Sequence, residues 1–153
     1  MGIEIERKFL VNSPPLESWG RGFDIKQGYL ARGSSAMARV RIYGDQGFLT
    51  IKGQTMGISR QEFEYEIPVK DAEELLGLCE GGKIIKKRWK VNINQHTWEV
   101  DVFDGDNAGL IIAEIELNDV NESFKRPPWL GEEVSDDPRY FNSALSRHPF
   151  KCW

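Results

Sequence analysis

"IEIERKFL", residues 3–10, alternates two kinds of side chain along its length. Glu4, Glu6 and Lys8 fall on one parity, and Ile3, Ile5, Arg7 and Phe9 fall on the other. Successive side chains of a β-strand point to opposite faces, so this period of two reads as a strand with two unlike surfaces. Two acids and a lysine on one face call for a reason, and the rest of the chain repeats the pattern. Strands are predicted near 3–11, 25–32, 36–44, 47–53, 60–69, 84–94, 97–104 and 110–118. GDQG (44–47), NQH (94–96) and DGDNAG (104–109) are turn signals between several of them. Connections this short imply antiparallel hairpins. Eight such strands are enough to close a barrel, which leaves no sheet edge exposed.

Helices are few, so the fold class is α+β and mainly β. DAEELLGLCE (71–80) begins with an Asp cap and ends at Gly81-Gly82. SDDPRYFNSALSR (135–147) places Pro138 directly after the capping Asp137, and Tyr140, Ala144 and Leu145 form its buried stripe with Phe141 at the edge. SPPLESW (13–19) reads as a loop with a short helical turn. No repeat, low-complexity tract or linker divides the chain, and residues 1–153 read as one domain.

Bulk composition narrows the partners. A net charge of −4 gives no general attraction to nucleic acid or anionic lipid, so neither is an expected partner. Any anion site must be a local concentration of Lys and Arg. Two cysteines, Cys79 and Cys152, lack metal-ligand spacing. With no leader-like start and no apolar run near the roughly 20 residues that span a bilayer, the expected setting is the cytoplasm.

Sorting every strand by parity shows a stronger pattern than any single motif. Arg39 and Arg41 share a face in ARVRI, as do Glu62, Glu64 and Glu66 in QEFEYEI. Lys86, Arg88 and Lys90 share one in IKKRWK, Glu99 and Asp101 in WEVDVF, and Glu114 and Glu116 in AEIEL, while Lys52 stands in TIKG. An antiparallel sheet with one wet face gives alternation of the same kind. Yet same-face neighbours lie only about 6.5–7 Å apart, so each like-charged pair repels itself. Here the signs are sorted strand by strand. Carboxylates without His or Cys nearby are hard oxygen ligands suited to Mg²⁺ or Mn²⁺. Clustered Arg and Lys suit phosphate. Together they are the equipment of metal-assisted phosphoryl transfer. Parity alone leaves open which face is inside.

EIERKFLV, QGYL, R-V-R, IK, SRQEFEYEI, KKR, EVDVF, E-I-E and GEEVSDDPRYFNSALS, in this order, resemble the CYTH superfamily of triphosphate tunnel metalloenzymes. The likeness covers nearly the whole chain and is to the short bacterial inorganic triphosphatases. It implies an eight-stranded antiparallel tunnel with the charged side chains inside. It assigns Glu4, Glu6, Glu114 and Glu116 to one or two Mg²⁺ or Mn²⁺ ions, with Glu62, Glu64 and Asp101 as further acidic positions. It assigns Lys8, Arg39, Arg41, Lys52, Lys86 and Arg88 to the triphosphate, and Lys8 with Tyr29 to the attacking water. The C-terminal helix carrying Arg139, Tyr140 and Asn142 would close one end. Lys87 has the wrong parity, Glu66 and Lys90 sit toward the rim, and His96 and His148 are not expected ligands.

The implied activity is metal-dependent hydrolysis of inorganic triphosphate to diphosphate and phosphate. A homodimer fits both the resemblance and apolar outer faces that need cover. Alternatives on the same fold are a class IV adenylyl cyclase, a thiamine triphosphatase or a nucleoside triphosphatase. A non-catalytic polyphosphate- or nucleotide-binding module and a barrel with a wet outer face are the readings from other classes.

Overall fold

The computed structural model describes residues 2–153. Its strands are β1 (Ile3–Val11), β2 (Phe23–Arg32), β3 (Ala36–Tyr43), β4 (Gln46–Gly53), β5 (Ser59–Ile67), β6 (Glu80–Ile93), β7 (His96–Phe103), β8 (Ile111–Leu117) and β9 (Leu130–Glu133). They hydrogen-bond in the order β5-β4-β3-β2-β6-β7-β8-β1-β9, and an additional β5–β1 pairing closes the sheet into a barrel. All of the paired strands are antiparallel. The opening stretch therefore lies at the seam. Residues Ile3–Ile5 pair with β5, while Ile5–Leu10 pair with β8 on the other side.

The eight predicted strands are present, and β9 is an addition. LGEE carries no alternation that marks it as a strand. It forms because β5 covers only the first part of β1, leaving backbone groups of Phe9 and Val11 to pair with Glu133 and Leu130.

The helices differ from expectation. α1 runs Val69–Leu76, with Pro68 at its cap and no capping side-chain bond, so Asp71 sits within the first turn. It ends at Gly77, not at Gly81-Gly82. Those two glycines open β6, where the Ser146 carbonyl lies within 3.1 Å and 3.3 Å of the space a Cβ would take. The Gly82 N–H donates to that carbonyl at 2.8 Å. Tertiary contact has claimed the glycines for the C-terminal segment. The expected helix over 135–147 is split into a 3-10 turn, Pro138–Tyr140, and the single turn α2 (Asn142–Leu145). Asp137 does cap the first piece by accepting from Arg139 N. Phe141 then turns extended, at φ −69° and ψ 138°. A helix this short is marginal without tertiary support, and Phe141 and Asn142 instead make contacts inside the barrel.

Three apolar clusters hold the barrel. Phe9, Trp98, Val100, Ala113, Ile115, Leu117 and Trp129 form the largest, on the outer face of β1, β7 and β8. Edge-to-face contacts join Trp98 to Phe9 and Trp129 at centroid separations of 5.6 Å and 5.7 Å, the favoured geometry for aromatic pairs. A second cluster puts Val40 of β3 under Ala72 and Leu76 of α1. Gly47 makes this approach possible, because a Cβ there would meet that of Ala72 at 2.9 Å. The third, Ile84, Phe103, Leu110, Ile112 and Leu145, lies where α2 meets β6, β7 and β8. Ile84, Phe103 and Ile112 share the parity of the charged face, so this cluster fills one end of the barrel interior. Ile3, Phe63 and Tyr65, on the outer face of β1 and β5, are left exposed. Among the described residues no helix is long and apolar enough to cross a membrane.

Candidate active site in the tunnel

The charged parity faces inward. Lys8, Arg39, Lys52, Lys86, Arg88 and Asp101 are each at most 7% exposed. Their clustering follows from register. Lys8 of β1 stands opposite Glu114 of β8, and Glu6 stands opposite Glu116. Glu114 stands in turn opposite Glu99 of β7, and Arg88 of β6 opposite Asp101. Four neighbouring strands, β1, β8, β7 and β6, thus lay acids and bases side by side.

A cavity of about 130 Å³ occupies the middle of the barrel. Twelve of the residues predicted for the site line it: Glu4, Glu6, Lys8, Tyr29, Arg39, Arg41, Lys52, Glu62, Glu64, Lys86, Arg88 and Glu114. Glu116 lines an adjoining space of about 400 Å³, which shares Glu4, Glu6, Glu99 and Glu114 with the first. Asp101 lines neither. It accepts two hydrogen bonds from Arg88, at 2.7 Å and 2.9 Å, and lies 2.7 Å from Lys86 Nζ.

Four residues at the site, Arg60, Gln27, Glu99 and Phe141, are not among those predicted for it. Arg60 lines the cavity with its Nε 3.5 Å from Glu4, and its parity, shared with Glu62, was the available signal. Glu99 falls on the charged face by its parity and lies 3.3 Å from Arg88. Gln27 shares the parity of Tyr29. Nothing local marks Phe141, whose ring sits 5.8 Å from Lys8 Nζ.

The partners divide the basic residues into two kinds. Lys8 pairs with Glu114, Arg39 with Glu64 at 3.3 Å, and Lys52 with Glu62 and Glu4 at 3.2 Å and 3.4 Å. Burial opposes the Lys8 charge, but Glu114 and Glu6 outweigh it and raise the ammonium above its ordinary value. Arg88, likewise opposed by burial, is raised well above its ordinary value by Asp101. Arg41 differs. It is open to the cavity but walled in by protein, and among the described residues no carboxylate pairs with it. Burial, then Arg39 and Arg88, push its guanidinium down to about 9. Burial also pushes Lys86 down to about 7, although Asp101 opposes it. One carboxylate, Asp101, is shared by Lys86 and Arg88, and Arg88 also reaches Glu99. Among the described residues Arg39 Nε is buried with no hydrogen-bond partner. An Arg41 without a paired carboxylate and an unused donor suit a polyanion.

The acids show the converse strain. Burial and then Glu114 and Glu4 raise Glu6 to about 7. Burial, Glu4, Glu62 and Glu99 raise Glu116. Crowded carboxyls that resist ionising together are what a divalent cation would relieve. An all-oxygen donor set fits a hard ion such as Mg²⁺ or Mn²⁺. Among the described residues no three such groups converge into a ready cage; several of these carboxylates are turned toward Lys and Arg.

A family model described as the CYTH domain matches residues 2–143. The chain is 51% identical over 152 residues to an inorganic triphosphatase of Acetivibrio thermocellus, covering 99% of this chain and 97% of that protein. It is 38% identical over 147 residues to an inorganic triphosphatase of Nitrosomonas europaea, covering 94% and 96%. The crystal structure of the inorganic triphosphatase NE1496 superposes with a TM-score of 0.67 at 36% identity, over 93% of this chain and 96% of that one.

Proposed function

The chain belongs to the CYTH domain family, and on that premise we propose that it is a hydrolase that cleaves inorganic triphosphate to diphosphate and phosphate inside its tunnel. The observation that carries the reading is Arg41, a guanidinium enclosed beside Arg39 and Arg88 with no acid of its own among the described residues. A buried cation without a counter-ion is costly unless an anion arrives. Arg39, Arg41, Lys52, Lys86 and Arg88 would grip the phosphate oxygens, the arginines through paired N–H groups and the lysines as point charges.

Glu4, Glu6 and Glu116, with Glu62 and Glu114 beside them, would hold the divalent ion; it supplies charge neutralisation on the phosphates and a more acidic water. Lys8 stays charged beside Glu114, which makes it a donor to the reacting oxygens and not a base. Tyr29, facing Lys8 across the cavity from β2, offers a hydroxyl for placing the water. The water oxygen bonds to the terminal phosphorus as the bridging P–O bond breaks. Both water protons end on the phosphate product before it exchanges with solvent. Asp101 aims Arg88 and Lys86 from behind.

Residues 1–153 act as one domain in this reading. Free Cys79 and Cys152 support the cytoplasmic setting. The exposed Ile3, Phe63 and Tyr65 support the homodimer, for which sedimentation is the test. The activity is tested by phosphate release from tripolyphosphate, ATP and thiamine triphosphate, each with Mg²⁺ or Mn²⁺. Tripolyphosphate should be the best substrate, chelation should stop turnover, and Lys8→Ala and Glu116→Ala should abolish it in folded protein. Full activity in either variant would remove the assignment.

A further inference from the structure

Resting on the triphosphatase reading, we propose that Gln27 is a positioning residue of the site, setting both the aim of the Arg41 guanidinium and the direction of the Tyr29 hydroxyl. Gln27 is wholly buried on the inward face of β2, between Ile25 and Tyr29. Its Oε1 accepts from Arg41 Nε at 2.7 Å. Its Nε2 lies 3.4 Å from Tyr29 Oη and 3.4 Å from Asn142 Oδ1.

A neutral amide set among ions is informative. A carboxylate at this place would pair with Arg41 as Asp101 pairs with Arg88, and would cancel the charge that a phosphate needs. The amide holds the guanidinium without neutralising it. Its orientation is also determined, because a guanidinium only donates. Oε1 must face Arg41, so Nε2 is turned to Tyr29 and Asn142 as a donor. A phenol oxygen that accepts from Gln27 keeps its own proton for another partner, and Tyr29 lines the cavity. Tyr29 thereby becomes a donor toward a phosphate oxygen or the attacking water. Occupation of Arg41 Nε leaves both Nη groups free for phosphate oxygens. Asn142 Oδ1 also accepts from Lys86 Nζ at 2.9 Å. The same amide therefore reaches Lys86, which shares Asp101 with Arg88, through one more side chain.

The test is steady-state hydrolysis of inorganic tripolyphosphate by the full chain at saturating Mg²⁺ or Mn²⁺. Gln27→Leu should lower kcat/KM by about tenfold, the scale of one well-oriented hydrogen bond. Added to Arg41→Met, it should change KM by no more than about twofold, and added to Tyr29→Phe it should leave kcat within the same margin, because coupled residues are not additive. Should Gln27→Leu fail to fold, Gln27→Met keeps the side-chain length and carries the same test. Unchanged kinetics in the folded single variant would overturn the proposal, as would the full tenfold loss repeated in both double variants. A wild-type chain without tripolyphosphate turnover would instead overturn the reading beneath it.

Discussion

Arg88 and Arg41 are the same residue type on the same tunnel wall, yet the fold treats them oppositely. Arg88 is held by Asp101 through two hydrogen bonds and by Glu99 at 3.3 Å. Arg41 is held by a neutral amide and repelled by Arg39 and Arg88. A buried cation with its own carboxylate serves the folded structure, because losing either partner strands a charge. A buried cation without one weakens the empty protein and strengthens the complex with an anion. Lys86 stands between, sharing an acid that Arg88 already engages.

Mutations should separate the two kinds. Asp101→Ala strands both Arg88 and Lys86, and should cost about 3–5 kcal/mol of stability in denaturant unfolding. A loss below about 1 kcal/mol would mean that the Asp101 pairing is not structural. Arg41→Met should cost far less stability, since it also removes the repulsion from Arg39 and Arg88, while lowering kcat/KM for tripolyphosphate roughly 100-fold, about 2.7 kcal/mol. A stability loss from Arg41→Met as large as that from Asp101→Ala would erase the contrast. The last difference lies in pH dependence. Folding lowers Lys86 from 10.5 to about 7, so between those values the unfolded chain binds more protons. Stability should rise with pH across that window. Lys86→Met should flatten this rise, and an identical slope in both proteins would show that Lys86 titrates normally.

The charged wall was legible because parity is a local property: Glu4, Glu6 and Lys8 had to share a face wherever the strand lay. That this face is the inside came from family resemblance, since spacing is silent about which face a barrel encloses. What parity could not show is pairing across strands. Asp101 and Glu114 are both inward acids, but only the register opposite Arg88 turns Asp101 away from the cavity lining. β9 escaped for the same reason, existing only because β1 has an uncovered edge. The C-terminal segment reads as one helix by its cap and spacing; Phe141 and Asn142, drawn into the tunnel, divide it. Gln27 is silent in the sequence because an amide in a strand carries no charge to mark it.

The central claim is that the tunnel interior holds the triphosphate, and a crystal structure with tripolyphosphate bound tests it most directly. The phosphate chain should lie within the barrel, with oxygens at hydrogen-bond distance from the Nη atoms of Arg41 and with Arg88 still paired to Asp101. A chain bound on the outer face, or inside but leaving Arg41 without contact, would contradict the account.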